Sequence, residues 1–397
     1  MRGRILVVDH RTPTPDQDSG SASAFSYLRI LARAGFEVTF APFDLRHAGS
    51  YTEALNRLGI RTLSEPEWTS MTSVIETIGP RCDVLLLYRG AIAGQIFDLA
   101  RRVAPAARIL FHPVDLSFLR MQRQAVVSGD QALAEAARTM RATELDLIAR
   151  ADATIVVSTG EIDLLRQLRP DAVVHQIPIL RETPARWPST TGWRGFLGGR
   201  FDGWIPAGRR RDLSFRGRRD FLFIGGYEHL PNVDAVQWFV REVWPCMLAK
   251  GFPDRFIIAG SKVPDEIAAL ASDQIDVRGY VEDLAPLFEA CRLSIAPLRY
   301  GAGVKGKIVT SLSFGVPVVA TTIAAEGMRL QHEQDVLVAD TPEAMAGQIL
   351  WLYNDADLWQ RLSSRGYRTF CNHFSLASGG GRVVSIVSGL VAAGSRN

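Results

Sequence analysis

Residues 293–321, LSIAPLRYGAGVKGKIVTSLSFGVPVVAT, read as a strand, a glycine-bearing loop, a helix and a second strand. The run 293–297 is short and apolar, and 316–321 is rich in β-branched residues. Between them Gly301 and Gly303 permit backbone turns that a side chain would forbid. A helix starting near Lys305 points its unpaired N–H groups, and the positive end of its dipole, into that loop. Lys305 and Lys307 add full charge at the same place. The combination predicts a site for a phosphate or a diphosphate.

Outward from this stretch, strand-like and helix-like segments alternate along the chain. Strands are expected at 4–8, 37–42, 83–88, 108–111, 153–157 and 172–177. Helices are expected at 22–34 and at 130–150, where Leu133, Ala137, Met140, Leu145 and Ile148 fall near one face. The second half repeats the pattern, with strands at 221–224, 256–259, 275–277 and 335–338 around the opening stretch. Its helices are read at 232–250, with Asn232 as N-cap, and at 284–291. Two further helices follow, and Pro342 suits the first turn of one of them. Such alternation means parallel sheets covered by helices on both faces. The fold class is α/β, with two tandem doubly wound domains facing a cleft. The expected boundaries are 1–180, a linker 181–220, 221–355, and C-terminal helices at 356–397 that cross back to the first domain.

The length of 397 residues suits two domains. With 47% apolar and 22% charged residues the composition is that of a soluble globular protein, and a net charge of +3 gives no reason to expect a nucleic-acid partner. Cys82, Cys246, Cys291 and Cys371 are scattered, which points to a reduced, cytoplasmic compartment. No stretch is read as reaching the roughly 18–20 apolar residues of a membrane span. The N-terminal apolar run, interrupted by Asp9, reads as a first strand rather than a signal peptide. The segment 181–220 differs from both halves, with ten arginines against four acids and no sustained period. Its clusters at 209–211 and 216–219, with Trp187, Trp193 and Trp204, fit either an inner-membrane surface contact through 186–219 or a hairpin packed on one domain.

Three blocks, FIGGYEHLPNVDAVQWF, IDVRGYVEDLAPLFEACRLSIAPLRYGAGVKGK and FGVPVVATTIAAEGM, resemble in order and spacing the donor half of retaining group-1 glycosyltransferases. RILVVDHRTPTPDQDSGS and FHPVDLSFLR are similar to the acceptor side of members that build bacterial surface polysaccharides. The resemblance implies the GT-B arrangement of two Rossmann-like domains. It also implies transfer of a sugar from a nucleotide-diphosphate donor to a glycan or lipid-linked acceptor, with no other cofactor required. Gly225 and Gly226 would lie against the donor diphosphate, and Gly279, Tyr280 and Val281 beside its base. Lys307, then Lys305, would neutralise the leaving group. Gly301, Ala302 and Gly303 would line the donor sugar, with Glu326 at the cleft edge. Asp18, Ser19, Gly20, Ser21 and Asp115 would face the acceptor or the sugar hydroxyls.

The chain departs from the family pattern at three places. Ala302 and Thr310 stand where many members carry two glutamates, the second of which usually holds the ribose. The donor is therefore expected to be dTDP-, UDP- or GDP-linked, with a dTDP-sugar favoured. Gly226 stands where a basic residue is common. The usual histidine before the first-domain aspartate is replaced by Val114, leaving His112 as either a core residue or a cleft residue. Asp115 and Glu326 also suit local capping, Arg120 and Arg123 a helix surface, and one of the two lysines a solvated helix start. The D-x-D patterns at 16–18 and 355–357 are read as coincidental, and the histidines lack metal-ligand spacing. Two other functions fit this fold: a nucleotide-sugar isomerase, and a catalytically silent binding subunit.

Overall fold

A computed structural model describes residues 2–184 and 214–394 of the chain. The first domain is built on seven parallel strands. They are β1 Arg4–Asp9, β2 Glu37–Pro42, β3 Arg61–Thr62, β4 Val84–Tyr88, β5 Arg108–His112, β6 Ala153–Val156 and β7 Val174–Gln176, in the order β3-β2-β1-β4-β5-β6-β7. The pleat sends alternate side chains to opposite faces, so Leu6, Val8, Leu85 and Leu87 enter one core while Ile5, Val7, Val84 and Leu86 enter the other. Burial on both faces is why these strands are almost wholly apolar.

The second domain repeats the plan with six parallel strands. These are β8 Arg219–Ile224, β9 Phe256–Ala259, β10 Ile275–Gly279, β11 Cys291–Ala296, β12 Val318–Ala320 and β13 Leu337–Val338, in the order β10-β9-β8-β11-β12-β13. Phe221 and Phe223 pack on one face and Leu222 on the other. In each sheet the winding reverses beside the first strand, between β1 and β4 and between β8 and β11. Doubly wound sheets bind ligands at the carboxyl ends of strands at such a reversal. Here the two reversals face each other across one cleft.

The structure corrects several local expectations. Asn232 does not cap a helix: the helix begins at Leu230, and Asn232 is buried two residues inside it. The expected helix over 232–250 is three pieces, Leu230–Trp238, a wider π turn at Phe239–Val243, and Trp244–Leu248. Pro245 lacks the N–H that a regular α-turn would use there. The crossing back to the first domain comes later than residue 356. Helix Ala356–His373 places Leu358, Leu362 and Phe370 in the second domain's core, whereas helix Leu376–Gly394 places Val383 and Val387 in a first-domain core. At the crossing the Arg181 N–H donates to the Phe374 carbonyl (2.8 Å), and the Leu376 N–H donates to the Arg181 carbonyl (2.9 Å).

Helix Leu376–Gly394 is also, by length and composition alone, apolar enough to cross a bilayer, contrary to the expectation that no segment is. Its glycines and serines dilute the apolar run to the eye. Most of the 186–219 segment read as a membrane contact lies outside the described residues. Of its described part, Arg218 contradicts that reading. Its side chain is fully buried, donates to the carbonyls of Phe288 (2.5 Å) and Cys291 (3.1 Å), and lies over the Trp359 ring. It ties the first strand of the second domain to the turn before β11. Arg218→Ala should leave those carbonyls without donors and lower the unfolding free energy by about 3 kcal/mol, measured by chemical denaturation.

Candidate functional site

Between the domains lies a cavity of about 540 Å³, lined by the loops after β1, β4 and β5 on one side and after β8, β9 and β11 on the other. Helix Gly306–Ser313 starts on its second-domain wall. Lys305 occupies the N-cap position, and its ammonium folds back onto the carbonyls of Ala302 (3.0 Å) and Gly303 (2.7 Å). Lys307 donates to Asn232 Oδ1 (2.6 Å) and sits 3.7 Å from the centre of the Phe223 ring. Neither lysine is the solvated helix-start residue expected of one of them. Burial pulls the Lys305 pKa down to about 8 against the opposing pull of Glu161, Asp115 and Glu326. Burial, then the charge of Lys305, holds the Lys307 pKa well below a lysine's ordinary value.

Glycines let the two walls meet around these lysines. At Gly306, between them, an added Cβ would lie 1.9 Å from Ser19 Oγ. At Gly226 it would lie 2.9 Å from the Gln17 carbonyl oxygen, which already accepts a hydrogen bond from Ser261 Oγ (2.8 Å). Gly303 has φ +63° and lies against Val157 and Asp115. The loop carrying Gln17, Asp18 and Ser19 is thus seated directly on the second domain.

On the first-domain wall Asp18 caps helix Ser19–Arg33, accepting from the Ser21 N–H (2.8 Å) and the Ser21 hydroxyl (2.6 Å). Ser19 and Gly20 line the cavity, and Ser21 lies buried behind them. Asp115 accepts from Arg120 Nε (2.8 Å), and both face the cavity, so Arg120 is not a helix-surface arginine. Burial alone would raise the Asp115 pKa, but Arg120, His229 and Arg89 together outweigh it and hold the pKa below the ordinary carboxylate value. His112 lies at the cavity floor, buried, stacked on Tyr88 with ring centres 4.9 Å apart. Its Nδ1 accepts from the Val114 N–H (3.0 Å), which places the proton of the neutral ring on Nε2. Burial pushes its pKa down to about 3, so it stays neutral. Its Nε2 and the hydroxyls of Tyr88 and Tyr27 make no hydrogen bond within the described protein.

The remaining sequence candidates divide. Gly225, Tyr280, Val281, Ala302 and Thr310 line the cavity, whereas Gly279, Gly301 and Glu326 are not among its lining residues. The Glu326 carboxylate is held by both terminal nitrogens of Arg123 (2.7 and 2.8 Å), and Arg123 also donates to the Gly301 carbonyl (2.7 Å). This pair joins the domains, so Arg123 is no surface residue and the Glu326 carboxylate is engaged by it. Sequence reasoning missed Arg181, Arg89 and Gly306. Gly306 was visible inside VKGK. Arg89 is held by Asp9 (2.7 Å) at the end of β4 with φ +60°, and nothing in its neighbourhood of the sequence announces this. Arg181, read as the start of a linker, lines the cavity and donates to Ser19 Oγ (2.7 Å). Lys305, Lys307 and Arg181 make no ion pair with any described residue.

Helix N–H groups and basic side chains in a partly enclosed site are a set of donors suited to an anion such as a phosphate. Residues 218–355 match the family described as "Glycosyl transferases group 1". Over the whole chain the structure is similar to sucrose-phosphate synthase from Thermosynechococcus elongatus, at 15% identity and TM-score 0.71, covering 98% of this chain and 99% of that one. It is also similar to HepE from Anabaena in complex with UDP-glucose, at 13% identity and TM-score 0.67 over 98% and 100% of the chains. TarM from S. aureus shares 10% identity and a TM-score of 0.68 over 98% and 99%. At these identities the likeness establishes the fold. No curated protein matches the sequence.

The lysine environment sets a pH dependence. Lys305 is charged below about pH 8 and neutral above it, and UDP stays fully ionised throughout that range. UDP affinity, followed by calorimetry, should therefore fall as pH rises through about 8, and binding near that pH should take up protons from the buffer.

Proposed function

We propose, from the match of residues 218–355 to the group 1 glycosyltransferases and from the two-domain GT-B fold, the reaction that this chain performs. It transfers a sugar, with retention, from a nucleoside-diphosphate donor to a glycan or lipid-linked acceptor of bacterial cell-surface polysaccharide. The observation that carries this reading is the pair Lys305 and Lys307 flanking the first residue of helix Gly306–Ser313, the first buried and the second partly buried, with no carboxylate in ion-pair contact among the described residues. An uncompensated buried cation is costly, and a diphosphate in the cleft would compensate both.

The site lends itself to departure of the leaving group. The bond from the anomeric carbon to the β-phosphate oxygen breaks, and its electron pair stays on that oxygen, where Lys307 and the helix N–H groups meet the developing charge. The acceptor oxygen bonds to the anomeric carbon on the same face, and its proton passes to the departing phosphate. Asp115, locked to Arg120, and the unpartnered Nε2–H of His112 are placed to orient sugar hydroxyls on the first-domain side.

Lys307→Ala should lower kcat by roughly 100- to 1,000-fold while leaving the thermal midpoint close to that of the parent, assayed with a panel of nucleotide sugars and product detection. Full activity in the variant would remove Lys307 from the reaction.

Our proposal for the donor nucleotide starts from Thr310, which bonds its own helix at the Gly306 carbonyl (2.9 Å) and offers no carboxylate to a ribose. We therefore favour a dTDP-sugar, whose sugar ring lacks the 2′-hydroxyl. UDP, present in the HepE and TarM complexes, is the competing choice. Calorimetric titration should give dTDP a roughly tenfold advantage over UDP, the value of one hydrogen bond's difference. Equal binding would discard the preference.

A further inference from the structure

We propose that Arg181 is a third cation of the diphosphate site, delivered from the interdomain crossover to the start of helix Gly306–Ser313. The inference rests on the nucleotide-sugar reading above and adds to it a residue outside the second domain's own sequence blocks.

The placement is close. A Cβ on Gly306 would lie 3.2 Å from Arg181 Nη2, so the guanidinium borders the first residue of the helix whose other flank is Lys307. Its protein contacts are few: Nη2 donates to Ser19 Oγ (2.7 Å) and to the Ser19 carbonyl (3.3 Å), and Nη1 donates to the Leu180 carbonyl (3.3 Å). An arginine has five N–H donors, and no carboxylate shares them here. Burial depresses its pKa to about 10, which still leaves the group charged at neutral pH. A charged guanidinium facing a cavity, with donors to spare, Asp18 near it and no carboxylate in direct contact among the described residues, has room for an oxyanion.

Gly226 explains why the cation comes from elsewhere. A side chain there would strike the Gln17 carbonyl, so position 226 cannot carry a basic residue while the first-domain loop rests on it. The loop that excludes it also brings Ser19, and Ser19 holds Arg181 in place. As the anomeric C–O bond breaks, Arg181 N–H groups donate to the β-phosphate oxygen that keeps the electron pair. Arg181 also forms the main-chain bridge to residues 374–376, where the chain returns to the first domain. Binding at the diphosphate is thereby tied to the crossover itself.

The test uses the full chain and its Arg181→Gln and Arg181→Lys variants, titrated with UDP and UMP and with dTDP and dTMP, alongside thermal unfolding. Arg181→Gln should weaken the diphosphates roughly 10- to 100-fold and the monophosphates by less than about threefold. Arg181→Lys, keeping charge without the fork, should fall between, and it decides the matter if the glutamine variant does not fold. With a donor that turns over, kcat should drop more than the acceptor KM rises. A parent that prefers diphosphates, paired with variants that prefer them equally, overturns the role of Arg181 alone. Equal losses for mono- and diphosphates with a lowered thermal midpoint make the residue structural and overturn it too. A parent with no preference for diphosphates overturns the reading of the site, and this proposal with it.

Discussion

Positive charge held without a carboxylate partner, at the first turn of helix Gly306–Ser313, is the constraint around which the rest of the structure is arranged. Lys305 rests on two carbonyls, Lys307 on an amide oxygen and the face of a phenyl ring, and Arg181 on a serine. These are neutral partners, which soften the cost of burial without cancelling the charge. A nearby aspartate would have stabilised the empty protein better and spoiled the site for an anion. Of the carboxylates nearby, Asp115 and Glu326 are each committed to an arginine of the first domain, Glu161 accepts from the backbone N–H groups of Leu116, Val157 and Ser158, and Asp18 caps its own helix through Ser21.

That commitment links the charge pattern to the contact between domains. The loop at residues 17–19 touches Gly226, Ser261 and Gly306, and Arg123 grips both Glu326 and the Gly301 carbonyl. The glycines matter here because they have no side chain, more than because they turn: each marks a place where one domain's backbone is touched by the other. The cavity is a product of two surfaces, and neither domain alone has the complete set of groups.

Much of this was legible beforehand. The alternation of apolar runs with amphipathic segments prescribes parallel strands between helix layers, and both sheets follow it. The lysine-flanked loop was read as an anion site from helix geometry alone, and the structure puts both lysines on the cavity. The failures share a cause. Asn232 looks like a helix cap because caps are local, but it is recruited from inside the helix to hold Lys307. Glu326 looks like a cleft carboxylate, but its partner Arg123 lies 203 positions away in the chain. Arg218 looks like one of a solvated cluster, but its neighbours Phe288, Cys291 and Trp359 are distant in sequence.

The sequence by itself determined most of the secondary structure, the two-sheet architecture and a glycine-bearing turn at 301–307 with two lysines at a helix start, because periodicity, turn chemistry and helix ends are short-range properties. Only the tertiary structure decided which charges stay unpaired there. It placed Arg181 beside Gly306, set Ser19 against the helix start, and paired Glu326 with Arg123. The physical reason is that the state of a charge depends on what surrounds it in space. Around this turn those surroundings come from both domains and from the crossover between them.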